Sequence, residues 1–228
     1  MEKKHLILVA GGSGSRMGSA TPKQFLLLGG RPILLRTLEQ FFAYDSTINV
    51  VIALPEAAIE AWQKIVKTYA ISIPHTFVVG GATRFHSVKN ALSKIEGEGL
   101  VAVHDGVRPL VSHATIEFCF GEAEKSGAAI PTIPLSDSIR KKVGDGKSVA
   151  VNRSDFCAVQ TPQVFRLSVL RKAYEQEYCN DFTDDASVVE SAGYKVSLVQ
   201  GNVENIKVTT PADLIFAEAI IKKVTGNE

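Results

Sequence analysis

The strand-like run His5-Leu6-Ile7-Leu8-Val9-Ala10 passes without a spacer into Gly11-Gly12-Ser13-Gly14-Ser15-Arg16-Met17-Gly18, and Pro22-Lys23-Gln24 follows closely. Glycines at the carboxyl end of a buried strand let backbone N–H groups approach phosphate oxygens with no Cβ in the way. Arg16 and Lys23 add positive charge where a transferring phosphoryl group would develop negative charge. The segment therefore predicts a polyphosphate site. Two commoner glycine motifs do not fit it. A dinucleotide fingerprint needs G-x-G-x-x-G, but Met17 stands at the third glycine's place and Gly18 comes one residue late. A Walker A loop needs Gly-Lys-Ser/Thr, and none follows this turn.

At 228 residues and 45% hydrophobic content the chain can bury one generous core, and it is read as a single domain over 1–228. The formal net charge of +1 leaves no global field to favour nucleic acid or an anionic membrane, so a bound anion must be held by local geometry. Cys119, Cys157 and Cys179 are isolated, with no C-x-x-C spacing; this argues against a disulfide framework and a zinc site and fits a reducing cytoplasm. The N-terminal apolar run is too short for a signal peptide or a membrane span.

Apolar strand-like runs alternate with helix-period segments. HLILVA (5–10), INVVIAL (48–54), FVVGG (77–81), LVAVHDG (100–106), GAAIPTI (127–133) and YKVSLVQ (194–200) read as strands. Between and after them lie expected helices over 33–42, 55–70, 83–95, 113–126, 167–179 and 211–223. In the second of these Ile59, Trp62, Val66 and Tyr69 share one face. Such crossovers build a mostly parallel sheet covered on both sides, so the expected fold is a three-layer α/β/α Rossmann-like sandwich with ligands at the carboxyl ends of the strands. The polar stretch 135–155 breaks the rhythm. Its Gly144-Asp145-Gly146 turn and the alternation around Val149 and Val151 read as a β-hairpin, either lying on the surface or projecting as an arm to another subunit.

Further candidates stand at strand ends. Gly80-Gly81-Ala82-Thr83-Arg84 leads into a helix, with Thr83 as its N-cap and Arg84 and Ser87 left to serve a nucleotide. In His104-Asp105-Gly106-Val107-Arg108, Asp105 at the sheet edge is placed to hold Mg²⁺ or accept a substrate hydroxyl, or else to brace the turn against Arg108. His104 is read as structural. Arg153 with Thr161-Pro162-Gln163, Lys207 in a short Ile206-Lys207-Val208 strand, and Thr183 as cap of a helix opening at Asp184-Asp185 complete the set.

These motifs together, A-G-G-x-G-x-R-M with P-K-Q (10–24), G-G-x-x-R-x-x-S-V (80–88), H-D-x-x-R-P (104–109), T-P-Q (161–163), T-D-x-A-S (183–187) and N-I-K-V-T (205–209), resemble the 2-C-methyl-D-erythritol 4-phosphate cytidylyltransferases of non-mevalonate isoprenoid biosynthesis. The resemblance implies a homodimeric nucleotidyltransferase acting on CTP and a polyol phosphate with Mg²⁺. Ala10, Gly11, Gly12, Gly14, Gly81, Arg84 and Ser87 would surround the nucleotide, and Arg16, Lys23 and Lys207 would carry catalysis. Asp105, Arg108, Ser138, Arg153, Thr161 and Thr183 would meet the polyol phosphate, with Asp105 also the candidate metal ligand. Ser138 and Arg153 would come from the partner's arm. Ala82 stands where many members carry an acid, and Gly106-Val107 where Ala-Ala is commoner. That valine also resembles the related ribitol-5-phosphate cytidylyltransferases, an alternative substrate class. A nicotinamide-dependent oxidoreductase would need the absent third glycine and an acid in the window around Gly29-Gly30-Arg31-Pro32; a silent nucleotide-binding module would have no use for Arg16, Lys23 and Lys207 together.

Overall fold

A computed structural model of the chain describes residues 2–12 and 21–225. Gly14 and Arg16 lie outside the described residues. In chain order the elements are β1 (Lys4–Val9), β2 (Leu27–Leu28), β3 (Arg31–Pro32), α1 (Ile33–Tyr44), β4 (Asn49–Leu54), α2 (Glu56–Thr68), β5 (Thr76–Val79), α3 (Arg84–Leu92), β6 (Leu100–Asp105) and α4 (His113–Ser126). They continue as β7 (Ala128–Pro134), β8 (Arg140–Gly144), β9 (Lys147–Ala150), β10 (Cys157–Val159), β11 (Gln163–Arg166), α5 (Leu167–Ala173), α6 (Asp185–Ser191), β12 (Ser197–Gln200) and α7 (Pro211–Thr225).

The central sheet follows from alternation along β1. Leu6 and Leu8 face one core with Leu34, Leu38 and Phe41 of α1, Trp62 of α2 and Ile116 and Phe120 of α4. Ile7, between them, faces a second core with Phe85 and Val88 of α3, Leu167 and Leu170 of α5 and Val188 of α6. Strands buried on both faces in this way read as continuous apolar runs, which is what β1, β4 and β6 are. The expected three layers are therefore present, and the apolar face of α2 packs as read: Trp62 is fully buried, and Ile59, Val66 and Tyr69 are partly buried around the same core.

β5, β4, β1 and β6 run parallel in that order. One antiparallel line follows, made of β11 and β10 end to end around the cis Thr161–Pro162 bond. β7 lies beyond it and pairs in parallel with β12. This antiparallel line is not among the strands read from sequence. The expected helix over 167–179 is also shorter: α5 ends at Ala173, where Tyr174 turns inward and stacks on Phe85 with ring centroids 4.6 Å apart. No strand forms over 206–208; Lys207 is exposed between the partly buried Ile206 and the buried Val208.

The stretch around 135–155 does form a hairpin, β8 with β9, turned through Asp145 at φ 48° and Gly146 at φ 71°. It makes a separate two-stranded sheet. Among the described residues no helix is long and apolar enough to cross a membrane.

Candidate active site

Three backbone turns meet at the carboxyl edge of the parallel strands. Ala10 N–H bonds Ala53 O at 2.9 Å, Gly80 N–H bonds Leu54 O at 2.7 Å, and Gly106 N–H bonds Val9 O at 2.9 Å. Between them lies a cavity of ≈ 230 Å³, lined by residues of Ala10–Gly12 and Gly81–Arg84 together with Lys23, Ser87, Asp105, Val107 and Lys207. The strand-end motifs thus share one site, as the fold rule requires.

Lys23 opens a 3₁₀ turn, Lys23–Phe25, and its side chain runs beneath Gly12. A Cβ at Gly12 would stand 3.2 Å from Lys23 Cε and 3.5 Å from Nζ, so the glycine leaves the lysine its room. Gln24 braces the same turn, donating from Nε2 to Ala10 O at 3.1 Å. Across the cavity, a Cβ at Gly81 would lie 2.3 Å from His86 Cβ. Its N–H donates to Ser87 Oγ at 3.1 Å, and Ser87 donates to Thr83 O at 3.0 Å. Thr83 caps α3 as expected, accepting from His86 N–H. Ser87 lines the cavity and at the same time shapes the Gly81 turn.

Asp105 is the electrostatic centre. Its Oδ2 is 3.1 Å from Arg108 Nε and 3.1 Å from Lys207 Nζ, and its Oδ1 is 3.8 Å from Arg84 Nε. Burial would raise its pKa, but Arg84, Lys207 and Arg108 outweigh burial and hold the carboxyl well below the usual carboxylate range. The Arg108 brace read from sequence is present, and the same side chain borders the cavity. Arg108 is also fixed by Asn205 O at 2.7 Å from Nη1. Arg84, expected to be free for the nucleotide, is instead paired with Asp185, Nη2 to Oδ2 at 2.6 Å.

Thr161 is not among the residues that line the cavity. It is buried, and its Oγ1 accepts from Asp105 N–H at 3.1 Å and lies 3.1 Å from His104 Nδ1. His104 Nε2 faces Arg108 O at 3.0 Å, and a carbonyl only accepts, so the proton is on Nε2 and Thr161 donates to Nδ1. His104 is a neutral structural residue, as read from sequence. Burial pushes its pKa down to about 4, against the opposing bond to Arg108 O. The unfolded imidazole takes a proton near 6.5 and the folded one only near 4, so the unfolded state binds more protons in between. Stability should fall as pH drops through that window, by up to about 1.4 kcal/mol per unit from this group. Asp105 does not confound this, because its stabilisation is lost only below pH ~4. His5 is also lowered by burial, so the difference between variants is decisive. Urea melts of His104→Gln between pH 7 and 4.5 should show a shallower loss than wild type; parallel curves would refute the assignment.

Thr183 is exposed, and the α6 cap is Asp184, which with Ser187 forms a reciprocal capping box. Ser138 and Arg153 are exposed on the arm, where Arg153 Nη1 donates to Ser136 O. Among the described residues none of 135–155 lines the cavity. The residues sequence reasoning passed over are the buried amides. Asn205 Nδ2 bonds Thr161 O at 2.8 Å, and Gln163 bonds Asp184 Oδ2 at 2.7 Å and Ala186 N–H at 2.9 Å. Both sat inside quoted motifs, but polar type alone assigned them no role.

The model of the 2-C-methyl-D-erythritol 4-phosphate cytidylyltransferase family matches residues 4–223. The chain is 51% identical over 218 residues to the protein of that name from Phocaeicola vulgatus, across 96% of this chain and 99% of that one. It is 49% identical over 215 residues to the one from Bacteroides fragilis, across 94% and 98%. The crystal structure of the Thermus thermophilus protein of that name superposes with a TM-score of 0.78 at 35% identity, across 97% of this chain and 100% of that one. With the strand ends, their motifs and the cavity all inside the matched span, the chain belongs to the 2-C-methyl-D-erythritol 4-phosphate cytidylyltransferase family.

Proposed function

We propose that the cavity between Gly12 and Asp105 is where this enzyme transfers CMP from CTP to 2-C-methyl-D-erythritol 4-phosphate. The products are 4-diphosphocytidyl-2-C-methyl-D-erythritol and pyrophosphate, in non-mevalonate isoprenoid biosynthesis. The observation that carries the reading is that Lys23, beneath the glycine turn, and Lys207, held on Asp105, line one cavity. A phosphomonoester oxygen attacks the α-phosphorus in line, the bond from that phosphorus to the β-phosphate's bridging oxygen breaks, and its electron pair leaves with pyrophosphate. The attacking oxygen carries no proton, so no general base is needed, and catalysis is positioning plus charge stabilisation by Lys23, Arg16 and Lys207.

The Ala10–Gly12 backbone and the Gly81 turn pack the base, and Asp105 Oδ1 accepts a polyol hydroxyl. The donor set does not make a resident metal site: the described residues hold no group of three or more His, Cys, Asp or Glu suited to a metal, and Asp105 is already neutralised by cations. The Mg²⁺ of this reading arrives on the triphosphate as part of the substrate, as that ion's preference for phosphates and water allows. The arm places Ser138 and Arg153 in a neighbour's site within a homodimer. The three free cysteines suit a reducing cytoplasm.

Pyrophosphate release tests substrate choice. A backbone edge that reads ring donors and acceptors should favour CTP over ATP by at least about 10²-fold. Methylerythritol phosphate should likewise outperform ribitol 5-phosphate, for which only Val107 speaks. Equal use of ATP would defeat the cytidylyl assignment, and preference for ribitol 5-phosphate the polyol assignment.

A further inference from the structure

The two oxygens of Asp105 are presented very differently. Oδ2 faces Arg108 Nε and Lys207 Nζ, each at 3.1 Å. Oδ1 faces Arg84 Nε at 3.8 Å, too long for a hydrogen bond, and among the described residues it accepts none. What restrains Arg84 lies behind it. Asp185, fully buried at the start of α6, takes Arg84 Nη2 on Oδ2 at 2.6 Å. Tyr174 donates its hydroxyl to Asp185 Oδ1 at 2.6 Å, and Gln163 docks the α6 turn through Asp184 and Ala186. Two acids therefore compete for one guanidinium, and Asp185 holds it.

We propose that Asp185, backed by Tyr174, is a positioning residue that holds Arg84 away from Asp105 and so keeps Asp105 Oδ1 open to accept the substrate hydroxyl. A guanidinium fork engages a carboxylate wherever one is in reach. With Asp185 neutral, the nearest carboxylate is Asp105, buried and less than a bond length short of direct contact, where water screens the attraction weakly. Closing that gap would occupy the oxygen that substrate needs.

The inference rests on Asp105 as a substrate ligand, and the two can fail separately. Asp185→Asn should raise KM for the polyol phosphate by about 10- to 30-fold, the loss of one hydrogen bond to a charged group, and move KM for CTP less than about threefold. Asp185→Asn combined with Arg84→Gln removes the liberated cation, and should bring that KM back to within about threefold of wild type. A purely structural role predicts the reverse, since a second lesion in the same buried network should worsen the first. A double variant no better than Asp185→Asn, or equal rises in both KM values, would overturn the proposal. If Asp185→Asn does not fold, Tyr174→Phe carries the test: loosening Asp185 should raise the polyol phosphate KM about threefold and leave CTP unmoved, and parallel rises overturn it. Asp105→Asn checks the underlying reading, because a wild-type KM for the polyol phosphate in that variant ends Asp105's role as ligand whatever Asp185 does.

Discussion

Lys23→Ala is expected to lower kcat by about 10²–10³, roughly 2.7–4 kcal/mol, the usual loss for one group that stabilises developing charge. The side chain is almost buried, yet it borders the cavity and runs beneath Gly12. That placement is why the effect is expected on turnover. Truncation leaves the strand–glycine turn in place, held by Ala10 N–H on Ala53 O and by Gln24 on Ala10 O, so the midpoint of urea unfolding should barely move. Lys23→Arg should not rescue it, because a planar fork does not fit the space Gly12 leaves for a slim ammonium. Steady-state turnover with saturating CTP and polyol phosphate decides: wild-type kcat in Lys23→Ala removes this lysine from the mechanism.

The place of that lysine at the cavity was legible from sequence for a physical reason. Glycines at the end of an apolar strand can be located by pattern, and the fold rule then fixes where the strand ends gather. Asp105, Gly81 and Lys23 entered one cavity on that rule alone. The hairpin was legible because Gly144-Asp145-Gly146 supplies the positive φ angles its turn needs.

What stayed hidden was pairing between distant side chains. Arg84 and Asp185 are 101 residues apart, and nothing in either local pattern marks the partner. Arg84 therefore read as free, when an ion pair fixes it. Thr161 and Ser87 are alike: neither motif reveals the groups that its hydroxyl bonds, Asp105 N–H and His104 for the one, Gly81 N–H and Thr83 O for the other. The antiparallel β10–β11 line escaped because each piece is three or four residues long, too short for alternation to register. Lys207 was read in a strand that does not form, because a run of three residues is too short for a pattern to fix an element.

The other large effect expected is recovery of activity from two inactive chains. Each residue of β8 is exposed and β9 nearly so, and Val143, Val149, Phe156 and Val159 around the arm are 42–54% exposed, an apolar surface with no core of its own to enter. Arg153 is exposed, and among the described residues the arm contributes nothing to the cavity of its own chain. If the arm crosses a twofold axis, each site combines Lys23 of one subunit with Arg153 of the other. Arg153→Ala should then raise KM for the polyol phosphate more than KM for CTP, because a guanidinium grips a phosphomonoester and the nucleotide contacts lie on the other chain. Mixing Lys23→Ala with Arg153→Ala under conditions of subunit exchange leaves one composite site of each heterodimer with both residues intact. Random pairing makes half the dimers mixed, so roughly a quarter of all sites should regain wild-type turnover. Exchange confirmed by mass, with no activity regained, would rule out the shared site, as would a fully active monomer at micromolar concentration.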